Sequence, residues 1–136
     1  MAPFTILLID DDPKFLEVVG ELLERDGYIV RTAASGEDGL AQAHAERPDL
    51  ILVDYHMPVM TGLMVVQRLK AEEATQRIPV LTLTAGTAEQ ANELSRAGCI
   101  GFIPKPFEPD AFRHLIADVL NETVGRSRLF GKPPSG

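Results

Sequence analysis

Five short apolar runs alternate along the chain with longer stretches of helical spacing, and this alternation limits the fold more than any other feature. The runs occupy residues 4–9, 28–30, 50–53, 80–83 and 99–103. Strands that are apolar along most of their length and separated by helices form a parallel sheet covered on both faces. The pattern therefore predicts an α/β fold, in which five β-α units are doubly wound into a three-layer sandwich.

Amphipathic patterns predict the helices between these runs. The first helix carries Phe15, Val19 and Leu22 on one face, with charged residues on the opposite face. The other four are predicted at residues 36–46, 62–72, 88–97 and 110–122. In the fourth, Leu94 is the only large apolar side chain. Because alanine offers little apolar area to bury, we expect the fourth helix to be held weakly.

Length and composition fit one domain. The 136 residues are 45% hydrophobic and 24% charged, which is the balance of a globular chain with its own core. The net charge of −7 argues against a nucleic acid or an anionic membrane as a partner. The single cysteine, Cys99, cannot form an internal disulfide, and the apolar run at 6–9 is too short for a signal peptide or membrane span. We therefore expect a cytoplasmic protein.

The composition changes after residue 122. Glycine, proline and serine accumulate there together with Arg126, Arg128 and Lys132. Such clusters are typical of loops and linkers. Residues 1–122 are therefore predicted to form the folded domain, and residues 123–136 a flexible basic C-terminal tail or the start of a linker.

Polar residues capable of chemistry stand where four of the predicted strands end. They are Asp10, Asp11 and Asp12 after the first strand, Asp54 after the third, Thr84 after the fourth and Lys105 after the fifth. Right-handed crossovers bring the carboxyl ends of parallel strands to one edge of the sheet, where ligands bind. Asp12 followed by Pro13 is typical of a helix N-cap, but a cap does not account for the two aspartates before it.

The predicted clustering of acids has an electrostatic consequence. Carboxylates that lie close together cannot all ionise at low cost unless a cation neutralises them or one of them holds a proton. Lys105 supplies only one positive charge. A hard divalent cation with oxygen ligands resolves the repulsion, and Mg²⁺ fits best. A metal, a carboxylate, a hydroxyl and a lysine together describe a phosphoryl-transfer site, in which an aspartate can accept the phosphoryl group covalently.

Each of these residues also has an ordinary explanation when it is taken alone. Asp54 is equally well explained as a turn residue ahead of Met57 and Pro58. Thr84 is a β-branched residue suited to a strand, and an isolated Lys105 is a solvated surface lysine. Their joint placement at four strand ends favours the functional interpretation.

Five motifs in order resemble the receiver domain of two-component response regulators, of the chemotaxis CheY type. They are ILLIDDDP at 6–13, DYHMPVMTG at 54–62, PVLTLTA at 79–85, AG at 97–98 and GFIPKPF at 101–107. The resemblance spans residues 4–122. It implies a flavodoxin-like fold with the sheet order 2-1-3-4-5, which is the order of CheY itself, and a cis Lys105–Pro106 bond. The sheet order is thus an implication of the resemblance and does not follow from the alternation of apolar runs.

The same resemblance implies roles around the strand ends. Asp54 would accept a phosphoryl group from a histidine kinase or a phosphotransfer domain. Asp11 would bind Mg²⁺ directly and Asp10 through water, with Asp54 and the backbone carbonyl of His56 as further ligands. Lys105 would pair with the Asp54 carboxylate and later with the phosphoryl group.

It also implies a switch. Thr84 would move to hydrogen-bond the phosphoryl group, and Phe102 would rotate inward to fill the space that Thr84 leaves. The signal would pass through the face of helix 4, strand 5 and helix 5 to a downstream protein target or output domain. A homodimer that forms on phosphorylation is a further possible partner arrangement. His56 and Gly86 stand where side chains tune the lifetime of the phosphoryl group, and an inert, solvent-facing His56 is an equally weighted alternative.

On this interpretation the domain is not a conventional enzyme, although it assists its own phosphorylation and dephosphorylation. Two alternatives remain: a receiver module that is part of a larger hybrid kinase or regulator, and a Mg²⁺-dependent aspartyl-phosphate phosphatase. The phosphatase is disfavoured, because that class of enzyme needs a second acid where His56 stands. A flavodoxin-like phosphate-binding module is disfavoured as well, because Asp10 and Asp11 would repel the anion.

Overall fold

The computed structural model describes residues 3–84 and 87–125, except for the side chains of residues 124 and 125. The strands are β1 (Thr5–Ile9), β2 (Ile29–Ala33), β3 (Leu50–Asp54), β4 (Val80–Leu83) and β5 (Gly101–Ile103). The helices are α1 (Pro13–Arg25), α2 (Gly36–Glu46), α3 (Gly62–Ala71), α4 (Ala88–Ala97) and α5 (Pro109–Val119). The predicted alternation of strands and helices is therefore confirmed.

The five strands form one parallel sheet in the order β2-β1-β3-β4-β5. This confirms the predicted order, with β2 at an edge. From β1 the chain passes first to β2 on one side and later to β3 on the other, so the strand order reverses between β1 and β3. Ligands of open α/β sheets bind outside the carboxyl ends of the strands at such a point.

Apolar side chains fill both faces of the sheet. Leu7, Ile9, Ile51 and Val53 contribute to a core with α2, α3 and α4. Alternate residues of the same strands, including Ile6, Leu8, Leu50 and Leu52, contribute to a second core with α1 and α5. Because successive residues of a strand point to opposite faces, a strand that is buried on both sides must be apolar throughout. The three-layer sandwich is the direct result.

Side-chain caps set where several helices begin. The hydroxyls of Ser35, Thr61 and Thr87 accept the backbone N–H groups three residues ahead, which begins α2, α3 and α4. Within α4, all of whose residues are described, Leu94 is the only buried side chain. The predicted weak burial of this helix is therefore confirmed.

The last predicted helix, at residues 110–122, changes character before its end. The α-helix ends at Val119, and a π-helical turn follows from Leu120 to Gly125. The hydroxyl of Thr123 donates to the carbonyl of Val119 at 2.6 Å, so helical structure continues past the predicted boundary at 122. Residues 126–136 of the predicted tail lie outside the described residues. Across residues 3–84 and 87–125, every helix is too short or too polar to span a lipid bilayer.

Candidate functional site

Two acidic side chains come side by side where β1 and β3 end. In these neighbouring strands Ile9 is paired with Val53, so the next residues, Asp10 and Asp54, meet at the carboxyl edge of the sheet. Both are buried, whereas Asp11 is exposed. Carboxylate oxygens of these three aspartates lie within 4.8 Å of one another. The structure therefore brings together the acids that were expected at the strand ends.

Asp12, the third aspartate of the first motif, has a structural task. Its carboxylate accepts the backbone N–H of Lys14 at 3.0 Å and so caps α1. Its own N–H donates to Oδ1 of Asp10 at 2.9 Å. The predicted N-cap is confirmed, and the start of α1 also helps to orient the Asp10 carboxylate.

Lys105 reaches this acidic pair from the end of β5. Its Nζ donates to Oδ2 of Asp10 at 2.9 Å and lies 3.2 Å from Oδ1 of Asp54. The expected pairing with Asp54 is thus present, but Asp10 is the nearer partner. The backbone N–H of Lys105 donates to the carbonyl of Thr84 at 3.2 Å, which joins the ends of β4 and β5. The Lys105–Pro106 bond is cis, as expected.

The charges of this group are not balanced by the residues themselves. Burial raises the pKa of the Asp54 carboxyl above its ordinary value, the charge on Asp10 raises it further, and Lys105 offsets part of the rise. Burial lowers the pKa of Lys105, but its hydrogen bond to Asp10 and the charges of Asp10 and Asp54 outweigh this, so the net shift is upward. One ammonium therefore serves two buried carboxylates with Asp11 beside them. Oxygen ligands in this number fit a hard cation such as Mg²⁺.

Of the remaining predicted site residues, the structure describes Thr84, Phe102 and His56. Thr84 is buried and follows Leu83, which pairs with Asp54 across β3 and β4. Phe102 on edge strand β5 is 38% exposed, so its ring is outward in this structure. His56 is exposed, and its ring meets that of Tyr55 edge-on at 4.9 Å. Gly86 lies outside the described residues.

A model of the response regulator receiver domain family matches residues 6–117 of the chain. The chain belongs to this family. A solved structure of the chemotaxis protein CheY4 of Vibrio cholerae superposes with a TM-score of 0.83 at 35% sequence identity, covering 88% of this chain and 100% of that one. The resemblance drawn from the motifs is therefore confirmed, and the protein carries a receiver domain of two-component signalling.

Two curated relatives are transcriptional regulators. Transcriptional regulatory protein GlrR of Escherichia coli (strain K12) is 34% identical over 123 residues, which cover 90% of this chain and 27% of GlrR. The DNA-binding dual master transcriptional regulator RpaA of Synechocystis sp. is 38% identical over 119 residues, which cover 87% of this chain and 49% of RpaA. The chain thus spans about a quarter to a half of the length of these relatives.

A tight loop joins β3 of this receiver domain to α3. The N–H of Gly62 donates to the carbonyl of Tyr55 at 2.9 Å, which closes the loop onto the end of β3. Within the loop, Val59 has a φ of 69° and a side chain that is 92% exposed. A β-branched residue is strained in this left-handed conformation, which favours glycine and asparagine.

Val59→Asn is expected to raise the free energy of unfolding by about 1 kcal/mol, because asparagine adopts the left-handed conformation more easily. Little burial is lost, since the valine side chain is almost fully exposed. Urea unfolding followed by circular dichroism measures the change. Val18→Asn is the matched control, because Val18 is 54% exposed within α1 and has no such strain to relieve. Equal effects of the two substitutions would contradict this account of Val59.

Phe15 is a side chain of the site that the sequence pattern does not reveal. The helical spacing places it on the buried face of the first helix, but its ring centroid lies 4.1 Å from Nζ of Lys105. Helical periodicity separates buried from exposed positions and carries no signal for a contact with a residue far along the chain. The position of Phe15 in the first turn of α1, shortly after the cap at Asp12, is the only hint that the sequence offers.

Proposed function

We propose that this receiver domain is a phosphorylation-dependent switch in which Asp54 accepts a phosphoryl group from a histidine kinase or a phosphotransfer protein. The convergence of Asp54 and Asp10 within hydrogen-bonding distance of the Lys105 ammonium supports the proposal most directly. A carboxylate oxygen of Asp54 would attack phosphorus as the bond from phosphorus to the donor's imidazole nitrogen breaks. The donor's other ring nitrogen carries a proton, so the departing nitrogen takes the electron pair of the broken bond and a neutral imidazole leaves. An acyl phosphate remains on the chain.

We propose Mg²⁺ as the cofactor, held by Asp11 and Asp54 directly, by Asp10 through water and by the backbone carbonyl of His56. The three aspartates of this set are supported by their carboxylate oxygens, which lie within 4.8 Å of one another, since oxygen ligands suit Mg²⁺. When bound, the ion would offset the negative charge that gathers on the phosphoryl oxygens.

The chain's own groups would then respond to the new charge. Lys105 would turn from the Asp54 carboxylate to a phosphoryl oxygen, which is a short movement for a flexible side chain. The Thr84 hydroxyl would donate to another phosphoryl oxygen, and Phe102 would turn inward behind it. The outward ring of Phe102 in the unmodified protein is consistent with this order of events.

The face formed by α4, β5 and α5 is the proposed output surface. Its support is the weak anchoring of α4 through Leu94 and the exposed apolar side chains of Phe102 and Leu115. Elements with few buried contacts shift their populations under small energies. Hydrogen exchange in α4 that is unchanged by phosphorylation would argue against this route.

The decisive test is mass spectrometry of the intact chain after incubation with acetyl phosphate. We expect the mass of one phosphoryl group to be added in the presence of Mg²⁺, and none when a chelator removes the metal. The domain would thereby assist its own modification without a kinase. The same assay follows the decay of the adduct, and its rate in His56→Ala shows whether the imidazole tunes the lifetime.

Asp54→Asn is the matched control, since it keeps the shape of the side chain and removes the nucleophile. An added mass that persists in this variant would show that another residue is modified. No added mass in the parent chain, with the metal present and the fold intact, would overturn the proposed function.

The relatives indicate the class of partner that the output surface would bind, although not an individual protein. GlrR and RpaA are named as transcriptional regulators and extend well beyond the receiver domain, which supports a receiver that acts on an attached output domain or on a separate protein target. A receiver module within a larger hybrid kinase is the second candidate.

We propose that the protein lies in the cytoplasm, because free Cys99 suits a reducing compartment. Cell fractionation tests this location.

A further inference from the structure

We infer that Phe15 is a positioning residue for Lys105, whose ammonium group the Phe15 ring face holds between the Asp10 and Asp54 carboxylates. The expected effect of Phe15 on phosphoryl transfer rests on the proposed function, whereas the contact between Phe15 and Lys105 does not. It assigns to a residue of α1 a part in the phosphoryl-transfer site that its place in the helix pattern does not suggest.

The Phe15 ring lies close to the charge of Lys105. Nζ of Lys105 is 4.1 Å from the ring centroid of Phe15, well inside the range of about 6 Å for a cation–π interaction. The same nitrogen lies 2.9 Å from Oδ2 of Asp10 and 3.2 Å from Oδ1 of Asp54. The nitrogen is therefore held by two anions and one aromatic face.

Other aromatic rings support Phe15 in turn. Phe15 meets Phe107 edge-on, with centroids 6.1 Å apart and ring planes at 80°. Phe107 stacks on Phe112 at 4.4 Å with planes 15° apart, and Phe112 is 1% exposed in the core of α5 and the sheet. A row of three aromatic rings thus runs from the core to the ammonium and limits how Phe15 can move.

An aromatic ring suits this place because it attracts a cation without adding a net charge. A third carboxylate would hold the ammonium as well, but it would add negative charge to a site that already has Asp10, Asp11 and Asp54. A ring face attracts the cation through its quadrupole. Its attraction also lacks the strict direction of a hydrogen bond, so Lys105 remains able to turn toward a phosphoryl oxygen.

The ring also limits the motion of the lysine. A lysine side chain is flexible, with a compact charge that water solvates strongly. Without the contact to the Phe15 ring, the ammonium would sample positions away from Asp10 and Asp54. Each phosphoryl transfer would then first have to bring the ammonium back to these carboxylates. Holding a reacting group in place beforehand is a recognised source of rate.

A nuclear magnetic resonance measurement tests the geometry without any phosphoryl chemistry. In the metal-free, unmodified chain, we expect the ε-methylene protons of Lys105 to be shifted upfield by the ring current of Phe15. The shift should be lost in Phe15→Leu and kept in Phe15→Trp. An unshifted signal in the parent chain would overturn the inference while leaving the proposed function untouched.

A fluorination series tests the consequence. Phenylalanine analogues with one, two and three ring fluorines at position 15 weaken the ring quadrupole stepwise with almost no change of shape. We expect phosphoryl uptake from acetyl phosphate to slow progressively, by about three- to tenfold over the series, and Phe15→Leu to be at least as slow.

The same analogues at position 107 are the matched control, because the Phe107 ring belongs to the row but faces Phe15 and Phe112. We expect no such trend there. Equal trends at the two positions, or none at position 15, would mean that Phe15 only packs and would overturn the inference. A parent chain that takes up no phosphoryl group while the ring-current shift is present would count against the proposed function instead.

Discussion

Gly62→Ala is expected to lower the free energy of unfolding by about 3 kcal/mol, because backbone atoms occupy the space for a new methyl group. A Cβ at this position would lie 2.5 Å from the carbonyl oxygen of Asp54 and 2.8 Å from Cα of Tyr55. Neither atom can turn aside as the end of a side chain could. The hydrogen bond from the Gly62 N–H to Tyr55 also prevents the loop from moving outward at low cost. Urea unfolding followed by circular dichroism measures the loss.

Gly20→Ala is the matched control, because Gly20 is also buried and helical but has space. A Cβ there would meet only Cγ1 of Val30, at an ordinary contact distance of 3.8 Å. Alanine is the better helix former by about 0.5–1 kcal/mol, so this variant should be slightly more stable than the parent. Similar losses in both variants would show that adding a methyl group to any buried glycine, rather than the close approach at β3, sets the effect.

The order of strands and helices could be predicted from the sequence because a strand that is buried on both faces appears as a continuous apolar run. Leu50–Asp54 is buried at every position, and its residues up to Val53 are all apolar, as a central parallel strand requires. Strand ends then follow from the runs, which is why Asp10, Asp54 and Lys105 can be assigned to one edge before their distances are known. The sheet order itself comes from the family resemblance and not from the periodicity.

Side-chain geometry within the site could not be predicted in the same way. A strand end locates the Cα of Lys105, but its long side chain decides whether Asp10 or Asp54 is nearer, and Asp10 is nearer. The contact of Phe15 with the ammonium likewise depends on the angle at which α1 leaves its cap. The left-handed Val59 gives no signal either, because its residue type argues against that conformation.

The acidic centre has an electrostatic weakness that follows from its burial. Asp10 is fully buried and Asp54 is 6% exposed, so water does little to stabilise their charges. Lys105 contacts both carboxylates and its side chain is 28% exposed. In a buried ion pair, removing one partner costs more than the pair contributes, because the other charge stays behind without compensation.

Lys105→Met is therefore expected to destabilise the metal-free protein by about 2 to 3 kcal/mol at neutral pH. Methionine keeps much of the length and apolar character of the side chain and removes the charge. Added Mg²⁺ should restore part of the loss, since a ligand that binds the folded state stabilises it. Lys14→Met is the matched control, because Lys14 is exposed on α1. Chemical unfolding with and without a chelator measures both effects, and an equal loss at the two lysines would contradict the expectation.

Asp54→Asn should change the stability of the metal-free protein in the opposite direction, and its pH dependence identifies the cause. Burial and Asp10 raise the pKa of Asp54 above its ordinary 3.8. The folded state therefore binds the proton more tightly than the unfolded state does. The resulting gain in stability is fully present below pH 3.8 and is lost as pH rises through the raised pKa of the folded state. Asparagine does not carry this cost, so the variant should be more stable than the parent at neutral pH, with a difference that shrinks as pH falls toward 3.8. A difference that stays constant across this range would mean that packing, and not the unbalanced charge, separates the two proteins.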